Sequence, residues 1–192
     1  MKQENLVSGQ TIDEIWQQVG LQLNDTSEIL DYNTVIVHAG RKTILSIDID
    51  LGGGFESGFE TTTFTAELEK QPTFKFAIHQ EHFTDEIGKF FGMQDVVIGY
   101  KDFDEKLIIK TDDKAKVRRI FSDMAVRETI LSLSDFSFGI TQHHKEDHKK
   151  AWYLELNIEQ GITNVEELRE IYKAFLSVLQ SLESTFENST VS

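Results

Sequence analysis

The sequence predicts an α+β fold: a mostly antiparallel sheet with flanking helices and a long C-terminal helix packed on the sheet. Three observations carry that expectation. Several runs alternate apolar and polar residues with a period of two, the mark of strands with one buried and one wet face. These strands come in runs rather than in strict strand–helix–strand alternation, which favours α+β over a parallel α/β sheet. The chain then ends in a long amphipathic stripe at helical spacing.

The first element reads as a helix. Thr11 and Glu14 have capping-box spacing, so hydroxyl and carboxylate can satisfy orphan backbone donors. Ile12, Ile15, Trp16, Val19 and Leu23 then recur on one face, and Asn24 to Ser27 breaks the pattern. Four strand-like runs follow, from Thr34 to His38, Lys42 to Leu51, Glu60 to Glu69 and Thr73 to His79. In the second, Leu45, Ile47, Ile49 and Leu51 point one way while Ser46, Asp48 and Asp50 point the other. In the fourth, Phe74, Phe76 and Ile78 alternate with Lys75 and His79. Short connections at Gly40 and Pro72 fit a meander.

The middle is mixed. A short helix is expected from Phe83 to Phe91, then strands over Gln94–Tyr100 and Lys106–Thr111, then helices over Asp113–Phe121 and Asp123–Leu133. Asp135–Gln142 and Ala151–Glu159 read as a hairpin. The last helix starts at the capping pair Asn164 and Glu167 and carries Val165, Leu168, Ile171, Phe175, Val178, Leu179 and Leu182 on one stripe. Trp152, Leu156, Phe136, Phe175 and Leu179 are expected to be buried together. No linker or repeat divides the chain, so residues 1–192 read as one domain, with 187–192 a frayed tail.

Composition narrows the function classes. The chain has 19 Lys and Arg against 33 Asp and Glu, a formal charge of −14. Such a balance repels a phosphate backbone, so no nucleic-acid partner is expected. Fourteen Phe argue against a disordered acidic chain. With no cysteine, disulfides, thiolate nucleophiles and Cys-ligated zinc or iron–sulfur clusters are excluded. No stretch approaches the roughly 20 apolar residues of a membrane span, and the first residues lack the apolar core of a secretory signal. No integral membrane segment and a cytoplasmic location are therefore expected.

One stretch resembles a known group. Gly92, Asp95, Val96, Ile98 and Gly99, then Phe103 and Asp104, then a short strand with Ile109 and Lys110 follow a G-x-x-D-[IV]-x-[IV]-G…F-D pattern. An Asp-rich helix start (Asp112, Asp113) and a helix with Arg118 and Arg119 come next. On these residues, about 76–133 is similar to an uncharacterised bacterial domain. Relatives often carry membrane spans ahead of that domain, which this sequence lacks. The resemblance implies a shared fold and carries over no catalytic residue. Physically the pattern reads as architecture: Asp104 accepts backbone N–H bonds at a turn between strands, and Phe103 seals the core beneath.

The candidates for chemistry each have a plainer reading. His143, His144 and His148, with Glu146 and Asp147, could supply ligands for Zn²⁺ or Ni²⁺. A solvated hairpin loop flanked by Lys145, Lys149 and Lys150 explains the same residues. Gly52 to Gly58 lacks the Lys-Ser/Thr and following helix of a phosphate loop. It reads as a loop between strands, with Gly53, Gly54 and Phe55, together with Asp104, as candidate ligand contacts. Asp48 and Asp50 lie about 7 Å apart on one strand face and suit either a cation or an outward polar surface. His38, His79 and His82 read as structural. Lys110, Lys114, Lys116, Arg118, Arg119 and Arg127 read as a solvated helix face, or as a docking surface for an acidic partner or an anionic ligand.

No catalytic residue and no cofactor follow from these patterns. The preferred function is a non-catalytic binding or protein-interaction module with an unknown protein or small-molecule partner. The alternatives are a small-molecule or lipid carrier, with a cavity between sheet and C-terminal helix, and a metal-dependent hydrolase.

Overall fold

A computed structural model describes residues 5–24, 31–53, 57–80, 93–144 and 149–188, the side chains of 187 and 188 excepted. The expected helix Phe83–Phe91, the histidines His82 and His148, Gly92, the loop residues Gly54 and Phe55, and the end of the tail lie outside the described residues.

The described residues begin with a strand, β1 (Asn5–Gly9), that alternation over so few residues did not reveal. Helix α1 (Ile12–Asn24) follows and buries Ile15, Trp16, Val19 and Leu23. Its capping box forms as expected: Glu14 N–H donates to Thr11 Oγ1 and Thr11 N–H to Glu14 Oε2, each at 3.2 Å. The amides of Gln10 and then Thr11 hold the Glu14 carboxyl below its ordinary range.

Strands β2 (Asp31–His38), β3 (Arg41–Asp50) and β4 (Phe59–Glu67) form antiparallel hairpins. Ala39 and Gly40 both take positive φ in the first turn, as a tight two-residue hairpin demands. Leu45 and Ile47 point into the core as predicted, but Leu51 has left the strand and is 76% exposed.

Strand β5 (Phe76–His79) departs from the expected alternation, because all four residues are buried. It lies between two strands, and His79, expected on the wet side, is only 2% exposed. The predicted strand Gln94–Tyr100 is reduced to β6 (Gln94–Asp95), and the predicted turn at Phe103–Asp104 is the helix α2 (Lys101–Lys106). The cause is local: the amides of Ile98 and Gly99 are taken by Asp104, so they cannot extend a ladder.

Strand β7 (Ile108–Thr111) precedes α3 (Lys114–Ile120) and α4 (Met124–Ser132). Asp113 and Asp123 cap the two helices, accepting the N–H of Lys116 and Ala125. The hairpin of β8 (Phe136–His144) and β9 (Lys150–Ile158) leads to α5 (Val165–Asn188), whose N-cap Asn164 accepts the Glu167 N–H at 3.0 Å. Helical backbone therefore continues into the segment expected to fray, as far as Asn188.

The nine described strands form one mixed, mostly antiparallel sheet in the order β1-β2-β3-β4-β9-β8-β5-β7-β6. Only β1 pairs in parallel. The meander expected through Pro72 does not occur, because the β8–β9 hairpin inserts between β4 and β5. Helix α5 packs against β4 and touches α1, α3 and α4, so the helices gather on one face. Between them lies an aromatic core in which Phe175 meets Phe64 and Phe138 at centroid distances of 5.9 Å. Phe136, Leu156, Phe175 and Leu179 are buried there, while Trp152 is half-buried under Lys75. No helix of the described residues is long and apolar enough to cross a membrane.

Candidate functional site

The face of the sheet free of the described helices is set by register. Leu6, Val35, Ile44, Thr65 and Glu155 stand opposite one another in turn across β1, β2, β3, β4 and β9. The next row is polar: Asn33, Ser46, Thr63, Asn157 and Ser137. Asn33 donates to Ser46 Oγ at 3.0 Å and Thr63 Oγ1 donates to Asn157 Oδ1 at 2.9 Å, so this row is knitted strand to strand. No described helix packs on this face of β2, β3 and β4. Leu6 and Ile44 accordingly remain 63% and 41% exposed.

A hollow of about 500 Å³ opens over that face, lined among others by Val35, Lys42, Ile44, Thr65, Glu67 and Tyr153. Its upper end is braced by Arg41, which donates to the Glu67 carbonyl and Glu69 Oε1 and also pairs with Glu183 on α5. The walls are therefore anchored to the core through one guanidinium with a fixed fork of donors.

Glu155 sits beside Thr65 in the apolar row. Its Oε2 accepts the Thr141 hydroxyl at 2.7 Å and lies 3.1 Å from His143 Nε2. The same ring nitrogen is 3.2 Å from Thr141 Oγ1, and the ring lies 5.4 Å from that of Tyr153. Hydroxyl, imidazole and carboxylate thus meet, but not as a relay. A relay places the acid on one ring nitrogen and the hydroxyl on the other, whereas here both contacts fall on Nε2. The arrangement holds a carboxylate in place; it does not activate the threonine.

The residues singled out from the sequence are dispersed. His143 and His144 belong to β8 itself, not to a loop, and as consecutive strand residues they point to opposite faces. Among the described residues no group of three His, Asp or Glu side chains is placed to hold a metal ion. Asp48 stands directly opposite Asp31 on the helix-free face. Gly53 follows β3 as exposed chain, near one side of the sheet, while Asp104 lies in α2 beside the other.

Asp104 turns both oxygens inward to the amides of Ile98 and Gly99. Its neighbour Phe103 is fully buried against Phe121, as the architectural reading expects. His79 contacts the Gln80 carbonyl through Nδ1 at 2.9 Å. Several basic side chains serve the fold: Arg118 donates to the Ile98 carbonyl, Arg127 to those of Phe121 and Ser122, and Lys110 pairs with Asp95.

Sequence reasoning missed the hollow. Its signal was Ile44, an apolar residue on the polar side of an otherwise regular strand, facing Val35. No protein-family model matches the chain, and no curated protein or solved structure matches it either.

Proposed function

We propose that the chain is a non-catalytic protein-interaction module that takes up a polypeptide partner on the helix-free face of its sheet. The observation that carries this reading is the apolar row Leu6–Val35–Ile44, exposed at Leu6 and Ile44, which runs into the hollow beside Tyr153. Small ligands are bound in pockets that enclose most of their surface. This hollow is broad and open, which suits a segment laid across strands. The interior between sheet and α5 is filled by Phe64, Phe138, Tyr172 and Phe175, which supports a module over a carrier. The charge of −14 favours a neutral or basic partner. Kinship of residues 76–133 with the bacterial domain and residence in the cytoplasm belong to the same proposal, the latter checked by cell fractionation.

Ile44→Glu tests the reading, since the half-exposed side chain can be replaced without opening the core. Native mass spectra of the chain and of this variant, both taken from cells, are compared. A protein held by the native chain and lost from the folded variant is expected. A small molecule retained equally by both would overturn the module in favour of the carrier.

A further inference from the structure

Strand β1 is one edge of the sheet, and its outer backbone groups decide whether another chain can pair there. The Gly9 carbonyl accepts the N–H of Ala39 at the end of β2. Backbone direction alternates along a strand, so Ser8 and Leu6 turn their N–H and C=O away from β2. The two groups of Ser8 are nevertheless taken, by a side chain. Gln18, from the second turn of α1, donates through Nε2 to the Ser8 carbonyl at 2.8 Å and accepts the Ser8 N–H on Oε1 at 3.3 Å. Its orientation is fixed chemically, because Nε2 also donates to the Glu14 carbonyl at 2.9 Å and both carbonyls can only accept.

We infer that the edge of β1 is a strand-pairing surface that the Gln18 side chain holds closed. One carboxamide reproduces what an added antiparallel strand does for a single residue, exchanging an N–H and a C=O with it. The guard continues one turn earlier in the helix: Glu14 Oε2 accepts the N–H of Gln10 at 2.8 Å and that of Thr11 at 3.2 Å. Gly9 makes this approach feasible, since a Cβ there would stand 3.0 Å from that of Glu14. The amides of Ser8, Gln10 and Thr11 are thus taken by two side chains four residues apart on α1.

Among the described residues of β1, the outward rung that neither side chain covers is Leu6, whose apolar side chain is largely exposed. The opposite edge is managed by length, because β6 has two residues. When Gln18 is removed, the occupant is a second copy of this chain, β1 against β1. Two identical edges related by a two-fold axis match one another in antiparallel register, and the exposed Leu6 supplies an apolar side chain on each.

Gln18→Ala in the full chain tests this, and alanine is a good helix former. Amide hydrogen exchange at Ser8 should quicken by about tenfold or more, while Val7, bonded to β2, keeps its rate. Sedimentation at rising concentration should reveal a dimer absent from the native chain. Adding Leu6→Lys to Gln18→Ala should restore the monomer, as charge on an edge blocks pairing. Unchanged exchange at Ser8 would overturn the inference. So would a Gln18→Ala chain that stays monomeric with Ser8 exchanging fast, or a dimer that Leu6→Lys does not dissolve.

Discussion

The carboxylate of Asp104 holds the backbone of Gly99, accepting its N–H on Oδ2 at 2.7 Å while Oδ1 accepts that of Ile98 at the same distance. Arg118 closes the bend from the other side, donating to the Ile98 carbonyl at 3.0 Å. The segment between β6 and α2 therefore bends around two side chains of opposite charge. This explains why a stretch of strand-like residues does not continue the sheet.

Asp104→Ala leaves both amides without their acceptor and should destabilise the fold by about 1–2 kcal/mol, with Asp104→Asn milder. Urea unfolding of the two variants checks this. An unchanged or higher stability for Asp104→Ala would remove the structural role and make this carboxylate a ligand candidate.

Gly99 has φ +94°, and a Cβ there would run into the Arg118 guanidinium. Gly99→Ala should cost about 1–3 kcal/mol, from backbone strain together with displacement of Arg118. In Arg118→Ala the added cost of Gly99→Ala should fall, because the obstruction is gone. A double-mutant cycle measures the difference.

Phe175 is fully buried between Phe64 and Phe138. Phe175→Ala should lose about 3–5 kcal/mol, from transfer of the ring and the cavity it leaves. A loss below about 1 kcal/mol would mean that α5 is peripheral to the core.

Burial pushes the phenols of Tyr172 and Tyr32 up to about 12 from 10.0, and nearby threonine hydroxyls only partly oppose the shift. The neutral phenol is the form the fold prefers. Below pH 10 both folded and unfolded chains are neutral, and that preference is fully expressed. Between pH 10 and 12 the unfolded chain ionises first, so stability falls by up to about 3 kcal/mol for each tyrosine. Unfolding free energies at pH 9 and pH 12 should therefore differ less in Tyr172→Phe than in the native chain. Equal differences would show that Tyr172 does not titrate with unfolding.

What the sequence determined by itself was local. Thr11 with Glu14, and Asn164 with Glu167, announced two helix starts because a cap joins groups three residues apart. Period-two alternation told which side of β3, β4 and β9 is buried, since the pleat assigns faces without reference to neighbours, whereas β8 is buried on both sides from Phe136 to Thr141. It could not tell which strand lies beside which. Insertion of β8 and β9 between β4 and β5 is a matter of long-range pairing, and an alternating pattern fits any antiparallel neighbour equally well. The candidate site depends on that pairing. Glu155 meets Thr141 and His143 only because β9 lies against β8, and it stands beside Thr65 only because β9 also lies against β4. The row from Leu6 to Ile44 likewise exists only once β1 has paired in parallel with β2, a contact between segments separated by the whole of α1.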